Sequence, residues 1–255
     1  NEAVANFASG DARSAANLWI IEGGRFEVAS EAGRNYGLRL GNGGSFAGEV
    51  SGAGSLLTLS GDADKGYFHI GEGGQAGFLV GSGGRLEGGQ WNQIGLNGGE
   101  GTLHVLGLGS QAVFARGSLT VGNAAAGGLL VGMGGSLLAR QLNVGSSQAG
   151  RPERGMGSVT LEGVGSVITL NNPDGHRLAL GDWGGGGLLV RNGALLDGMS
   201  ANAAVCAGRW CGSLIGHAAG SDASLVVTGA GSEARLLGQM VVGGTQRNAV
   251  ASDGW

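Results

Sequence analysis

The chain has 255 residues, of which 42% are apolar and 59 are glycine, and its formal net charge is -4. That glycine content is about three times ordinary usage. The chain has only 2 prolines and lacks a three-residue period, which excludes collagen. Its glycines are interleaved with Leu, Val and Ile, which argues against disorder. The 15 basic residues are scattered, so no cluster indicates binding to nucleic acid or to an anionic membrane. No apolar run approaches the roughly 18 residues of a membrane span.

A four-residue unit, apolar-x-apolar-Gly, recurs along the chain. Its final glycines occupy positions 41, 71, 95, 122, 145, 181, 216 and 243. The underlying spacing between these glycines is 23–27 residues, with occasional insertions, which is typical of a solenoid. Apolar residues two apart, such as Leu119 and Val121, predict half-buried strands. Helices are disfavoured because each interior glycine costs about 1 kcal/mol relative to alanine.

A second unit, a strand followed by a glycine-containing turn, alternates with the first. The turn is GG at 83–84 and 134–135, and GxGS at 107–110, 163–166 and 229–232. Because the two turn forms interchange, a two-unit repeat of about 50 residues is expected.

An interval of 23–27 residues holds about three short strands and three turns. This is one coil of a parallel β-helix, in which successive coils lie about 4.8 Å apart. We predict an all-β solenoid of about eight three-strand coils in a single segment, 1–255, with repeats over about 18–243. Glycine is expected at sharp corners that need φ > 0 or close backbone approach. Leucine-rich repeats and β-propellers are disfavoured, since their spacings are absent. One buried interior ladder is predicted to contain Val121, Val144, Leu180, Ile215 and Val242.

The units LTVG…GGLLVGMGGSLLARQLNVG and GSVTLEGVGSVITL resemble the glycine-rich repeats of passenger domains of Gram-negative autotransporters. The resemblance implies a right-handed parallel β-helix that is displayed on the bacterial surface or secreted. It also implies a C-terminal outer-membrane β-barrel of the same precursor, which this chain does not contain. Since Asn1 is not an initiator methionine, we expect a processed or excised piece. The expected function is virulence-associated binding of a host extracellular or cell-surface protein, by adhesion or serum-protein capture.

Two other functions stay open: self-association between bacteria, and a carbohydrate-active β-helix enzyme. The nucleophile motifs GDSGS, GDSL and G-x-S-x-G do not occur. Polysaccharide-cleaving enzymes need clustered carboxylates, whereas Asp62 and Asp64 form the only close acidic pair. His69 and His104 stand between apolar neighbours, which predicts solvated side chains. We therefore expect no enzyme activity, no catalytic residue, no metal and no cofactor.

Loops that leave a regular scaffold are the best candidates for recognition. The two long intervals, 145–181 and 181–216, carry Trp and Arg residues of the kind enriched at interface hot spots. For Trp210, packing of its loop onto the coil is an equal alternative, and for Trp183 packing is favoured. The predicted partner-binding residues are Arg209, Trp210, Trp183, Arg151 and Arg154.

Two cysteines, Cys206 and Cys211, lie in a loop insertion at 199–212. Their spacing lets a short loop close on itself through a disulfide, which would contribute about 2 kcal/mol. Two free thiols are the alternative. A zinc site would need two further ligands, and His217 is the single histidine nearby.

Overall fold

The computed structural model describes residues 3–7, 14–29, 35–61, 65–147, 154–173, 176–199 and 212–243, with the backbone alone at 3–7 and at 176. Every regular element in these ranges is a β-strand. No helix long and apolar enough to cross a membrane occurs in them. All pairings between the strands are parallel, and they build three ladders, which we name A, B and C.

Ladder A is an eight-stranded sheet. Its strands are β2 (Ala15–Ile20), β5 (Ser45–Ser51), β8 (Gln75–Gly81), β11 (Glu100–Leu106), β13 (Ala126–Gly132), β15 (Met156–Glu162), β18 (Gly185–Arg191) and β21 (Asp222–Thr228). Ladder B contains β3 (Arg25–Ala29), β6 (Leu56–Ser60), β9 (Arg85–Glu87), the first parts of β12 (Gln111–Asn123) and β14 (Ser136–Ser146), β16 (Val167–Leu170), β19 (Leu195–Gly198) and β22 (Glu233–Leu236).

Ladder C contains β1 (Ala3–Phe7), β4 (Tyr36–Leu40), β7 (Gly66–Glu72), β10 (Trp91–Leu96), the second parts of β12 and β14, β17 (His176–Asp182), β20 (Gly212–Ile215) and β23 (Gln239–Val242). The chain visits A, B and C in that order and then returns to A. Seven steps separate the eight strands of ladder A, so the fold is an all-β parallel solenoid of about seven turns. This part of the prediction is confirmed.

The interior is one continuous apolar core, because alternate residues of every ladder point inward. The predicted ladder is in register: Val121 pairs with Val144, Val144 with Leu180, and Leu180 with Ile215. These four residues are buried. The prediction is wrong for Val242, which pairs with Ile215 but is 65% exposed. Val242 lies on the last described rung, so it is stacked on one side only.

The corner between ladders C and A is turned by the final glycines of the apolar-x-apolar-Gly units. At all eight positions φ is positive, as predicted, from 61° at Gly216 to 76° at Gly122. Close approach adds a second constraint at several of them. A Cβ on Gly95 would lie 2.0 Å from the carbonyl oxygen of Ala126 in the next coil. An L side chain at Gly95 would therefore meet both an unfavourable φ and a backbone clash.

The corner between ladders A and B alternates strictly between two turn forms. In one form two residues with positive φ follow each other, as at Met133 (55°) and Gly134 (83°). In the other form two positive-φ glycines flank a tip residue, as at Gly107 (95°) and Gly109 (82°). The expected two-unit repeat is therefore present in the stack.

Candidate binding surfaces

The tips of three consecutive A/B turns carry large, exposed apolar side chains. Leu108 is 85% exposed, Met133 is 73% exposed and Val164 is 83% exposed. The Leu108 side chain leans over Gly134 of the next coil, and Val164 leans over Gly193 in the same way. The three tips therefore form a continuous ridge along the stack. Each tip contributes little to the core, because most of its surface faces solvent.

Ladder B extends this apolar surface on its outer side. Val113 pairs with Leu138 in one row, and Val167 pairs with Leu195 in the row beside it. The polar Thr169 is the next partner of Leu138, and Ser136 is the preceding partner of Val167. The four apolar side chains are half-buried and face outward. We name the combined surface the apolar patch; its members are Leu108, Met133, Val164, Val113, Leu138, Val167 and Leu195.

Charged side chains border the apolar patch at both ends. On the preceding coil, Arg85 Nε lies 2.7 Å from Glu87 Oε1, and Glu87 is the register partner of Val113. On the following coils, Arg235 Nε lies 2.6 Å from Glu233 Oε1, and Glu233 is the register partner of Leu195. An apolar centre with a charged rim is the usual composition of a protein–protein interface.

The sequence pattern did not single out these tips, although the signal is visible in it. In GLGS, GMGG and GVGS the solvent-facing position of a tight turn holds an apolar residue. Turn positions are normally occupied by Gly, Asn, Asp or Ser, for backbone reasons. Recognising that the three tips are neighbours requires the coil register, which composition alone does not supply.

The outer side of ladder C carries a charged cluster in its first coils. His69 Nδ1 lies 2.9 Å from Glu72 Oε2, and Arg39 Nε lies 3.2 Å from the same oxygen without hydrogen-bond alignment. The Arg39 guanidinium lies 5.1 Å from the centre of the Tyr67 ring. The hydrogen bond from His69, together with attraction to His69 and Arg39, lowers the pKa of Glu72 despite the opposing effect of burial.

This cluster corrects the expectation for His69. His104 is exposed, as predicted. His69 also faces outward, but it is mostly covered, since it is bonded to Glu72 and its ring centre lies 5.0 Å from that of Tyr67. Its neighbours on adjacent coils are large enough to shield it from solvent. The cluster is a set of surface side chains that pack against and bond to one another.

The corner between ladders C and A holds the two sequence-predicted residues that the structure describes. Arg154 Nη1 donates to the carbonyl oxygen of Gly220 at 2.7 Å, two coils farther along. Trp183 lies on the intervening coil, is exposed and has a φ of 67°. Beside it, His217 Nε2 lies 3.6 Å from Asp182 Oδ1. Arg154 and Trp183 are thus brought to the same corner.

The other predicted positions lie outside the described residues. These are Arg151, Arg209, Trp210, Cys206 and Cys211, together with the acidic pair Asp62 and Asp64. The predicted partner-binding role of the corner and the predicted disulfide both stay predictions.

A shallow groove of about 420 Å³ crosses the outer side of ladder A in the first coils. Small residues such as Ala47, Gly77 and Thr102 line it, and Gln75 Nε2 lies 3.5 Å from Glu100 Oε2 at its edge. Such a lining offers few groups to orient a ligand. Within the described ranges, no three His, Cys, Asp or Glu side chains group as metal ligands would.

Comparisons with protein-family models, with curated proteins and with solved structures give no match for this chain.

Proposed function

We propose that the chain is a right-handed parallel β-helix of about eight three-strand coils and the passenger segment of a Gram-negative autotransporter. It is displayed on the bacterial surface or secreted, and it binds a host extracellular or cell-surface protein. The resemblance of the repeats supports the export route. The right hand is supported by the general rule that crossovers between parallel strands are right-handed in about 98% of cases.

The observation that carries the binding proposal is the apolar patch. Folding gives no reason for its three apolar turn tips, because Leu108, Met133 and Val164 are at least 73% exposed. Contiguous exposed apolar surfaces on soluble proteins usually mark sites of association. The charged pairs at both ends supply a rim that stays hydrated when the centre is covered.

The shape of the apolar patch favours a protein partner. Its ridge of turn tips is convex, whereas small-molecule sites are concave and enclose most of the ligand. A protein can present a groove that covers Leu108, Met133 and Val164 together. The neighbouring face, with Leu138 and Val167, adds a flatter area for the partner to extend over.

A quantitative pull-down from host plasma and from solubilised host-cell surface proteins tests this function. Three baits are compared: the unmodified chain, a patch variant (Leu108→Ser, Met133→Asn, Val164→Ser) and a corner variant (Arg154→Ala, Trp183→Ala). We expect at least one extracellular protein to be captured by the unmodified chain and by the corner variant, and at least tenfold less by the patch variant.

Two results would contradict the proposal. One is equal capture by the unmodified chain and the patch variant. The other is concentration-dependent self-association that only the patch variant loses, which would make a second copy of the chain the partner. Loss of capture by the corner variant alone would instead support the residues predicted from the loops.

A further inference from the structure

A depression of about 230 Å³ lies at the corner between ladders B and C, in the middle coils of the stack. Trp91, the first residue of β10, forms one wall, and its side chain is 55% exposed. Its register partner on the next coil is the small Ser118, which pairs in turn with Gln141. Two coil spacings, about 9.6 Å, therefore separate Trp91 from the wall formed by Arg140 and Gln141.

The far wall carries a guanidinium that has no acidic partner. Arg140 is half-buried and forms no ion pair in the described part of the chain. Its guanidinium makes one long hydrogen bond, from Nη2 to Asn172 Oδ1 at 3.4 Å. By contrast, Arg85, Arg191 and Arg235 each lie within 2.7 Å of a glutamate oxygen. None of the residues lining the depression carries a carboxylate, so an anionic ligand would supply the partner that Arg140 lacks.

A second positive charge lies behind this wall. Arg177 is 1% exposed; its Nε donates to the Asn172 carbonyl at 2.9 Å and its Nη1 to the Gly198 carbonyl, while its Nη2 has no hydrogen-bond partner. Asn172 therefore lies between two guanidiniums, with Arg140 on its side-chain oxygen and Arg177 on its backbone oxygen. Asp197 attracts Arg177 but does not line the depression. Both guanidiniums make the depression more favourable for a negative charge.

Three other polar groups of the lining are free to bind a ligand. The amide of Gln90, the hydroxyl of Ser118 and the indole N–H of Trp91 make no hydrogen bond in the described part of the chain. The amides of Gln141 and Asn172, in contrast, are already bonded to neighbouring side chains. They shape the wall, and the three free groups remain for recognition.

We propose that this depression binds one pyranose ring that carries a carboxylate, as part of an acidic oligosaccharide. The carboxylate accepts hydrogen bonds from the unused N–H groups of Arg140, whose planar fork suits two carboxylate oxygens. The C–H face of the ring packs on the indole of Trp91. The ring hydroxyls meet the Gln90 amide and the Ser118 hydroxyl, which both donate and accept. The volume is below the roughly 300–1,000 Å³ of pockets that enclose drug-sized ligands, so a single ring is enclosed.

An acidic peptide is the alternative ligand that the charge would also attract. The side chain of Asp or Glu would satisfy Arg140, but it has no ring face to cover the Trp91 indole and no hydroxyls for Gln90 and Ser118. The combination of a guanidinium, an indole and free polar groups therefore favours the sugar.

This inference does not rest on the apolar patch, since the two surfaces share no residue. Carboxylated sugars occur in host glycans and in bacterial surface polysaccharides. An array carrying sialylated mammalian glycans, neutral mammalian glycans and uronate-containing bacterial polysaccharides separates these sources. The full chain is then titrated in solution with the methyl glycosides of N-acetylneuraminic acid and of glucuronic acid. Each is measured beside its methyl ester, which keeps the ring and removes the charge, and beside a peptide of Asp and Glu residues.

We expect at least one acidic sugar to bind, and its methyl ester to bind about tenfold more weakly or less. Arg140→Gln should lower the affinity for the acid by about tenfold or more and that for the ester much less. Arg116→Gln is the matched control, because it removes the same charge from an exposed side chain on the preceding coil, outside the lining. It should lower the affinity by less than about threefold. Trp91→Ala should weaken both the acid and the ester, whereas Trp19→Ala, at an exposed indole on ladder A, should weaken neither.

Circular dichroism verifies that each variant is folded. If a variant does not fold, the comparison of acid with ester on the unmodified chain decides by itself. The proposal is overturned by no binding of acidic sugars from either source, by equal affinity for an acid and its ester, or by a peptide that binds as tightly as the sugar. Equal losses in Arg140→Gln and Arg116→Gln, or unchanged binding in Trp91→Ala, would overturn it as well.

Discussion

The Oγ of Ser110 accepts a hydrogen bond from the backbone N–H of Gly83 at 3.1 Å and donates to the carbonyl of Leu106 at 2.7 Å. It therefore joins the A/B turns of two successive coils. The same link from a GxGS serine to the preceding turn recurs at Ser55, Ser166 and Ser232. This alternation explains why the repeat covers two coils, since the serine of each GxGS turn accepts a hydrogen bond from the backbone of the preceding turn, which has the other form.

Removing that link should weaken the stack locally. In Ser110→Ala the partly buried Gly83 N–H loses its partner, and we expect the free energy of unfolding to fall by about 1–2 kcal/mol. Hydrogen exchange at the Gly83 amide should accelerate. Ser158→Ala is the control, because Ser158 faces solvent on ladder A, and it should change stability by less than about 0.5 kcal/mol. Unchanged exchange at Gly83 would show that the link is not stabilising.

Two glycines of one corner should respond differently to the same substitution. Gly95 and Gly98 both have positive φ, 73° and 79°, but a Cβ on Gly98 meets nothing within 4 Å. Gly98→Ala should cost about 1–2 kcal/mol through backbone conformation alone. Gly95→Ala adds the clash with the Ala126 carbonyl, and we expect a loss above about 3 kcal/mol or failure to fold. Chemical unfolding of both variants measures this, and equal losses would contradict the close packing of the coils.

Methionine at position 133 should lower the stability of the fold. It has a φ of 55° in a turn whose next residue, Gly134, also has positive φ. Asparagine tolerates this conformation best among non-glycine residues, and Asn192 occupies the equivalent position with a φ of 58°. Met133→Asn should therefore raise the free energy of unfolding by about 0.5–1 kcal/mol. Leu108→Asn, at a tip without positive φ, is the control and should give no such gain.

Glu72 should make stability depend on pH in the acid range. Its pKa is lowered from the ordinary 4.5 by the hydrogen bond from His69 and the attraction to His69 and Arg39. The ionised form is favoured in the folded state, so its contribution is complete above pH 4.5 and is lost as pH falls through the lowered pKa. Urea unfolding of the unmodified chain and of Glu72→Gln should differ at pH 7 and converge towards pH 3.

The dependence should shrink in an Arg39→Gln background, because one of the attractions is removed while His69 stays. A stability difference between the unmodified chain and Glu72→Gln that grows as pH falls would contradict this account.

The sequence was sufficient for the strands and corners, because a period of two and regularly placed glycines are local signals. Val121 and Val144 could be placed in one buried ladder on that basis. Val242 could not be placed correctly, since its exposure depends on where the stack ends. Nor could the apolar patch be found, because Leu108, Met133 and Val164 become neighbours only once the coils are in register.

We infer that the apolar tips serve binding and not folding. Capture of a host extracellular protein by Met133→Asn, measured beside the unmodified chain, tests it most directly, because this change is expected to stabilise the fold. Loss of a hot-spot side chain at the centre of an interface costs about 2 kcal/mol or more, so we predict at least a tenfold fall in affinity. Equal affinity, with the fold intact, would contradict the claim.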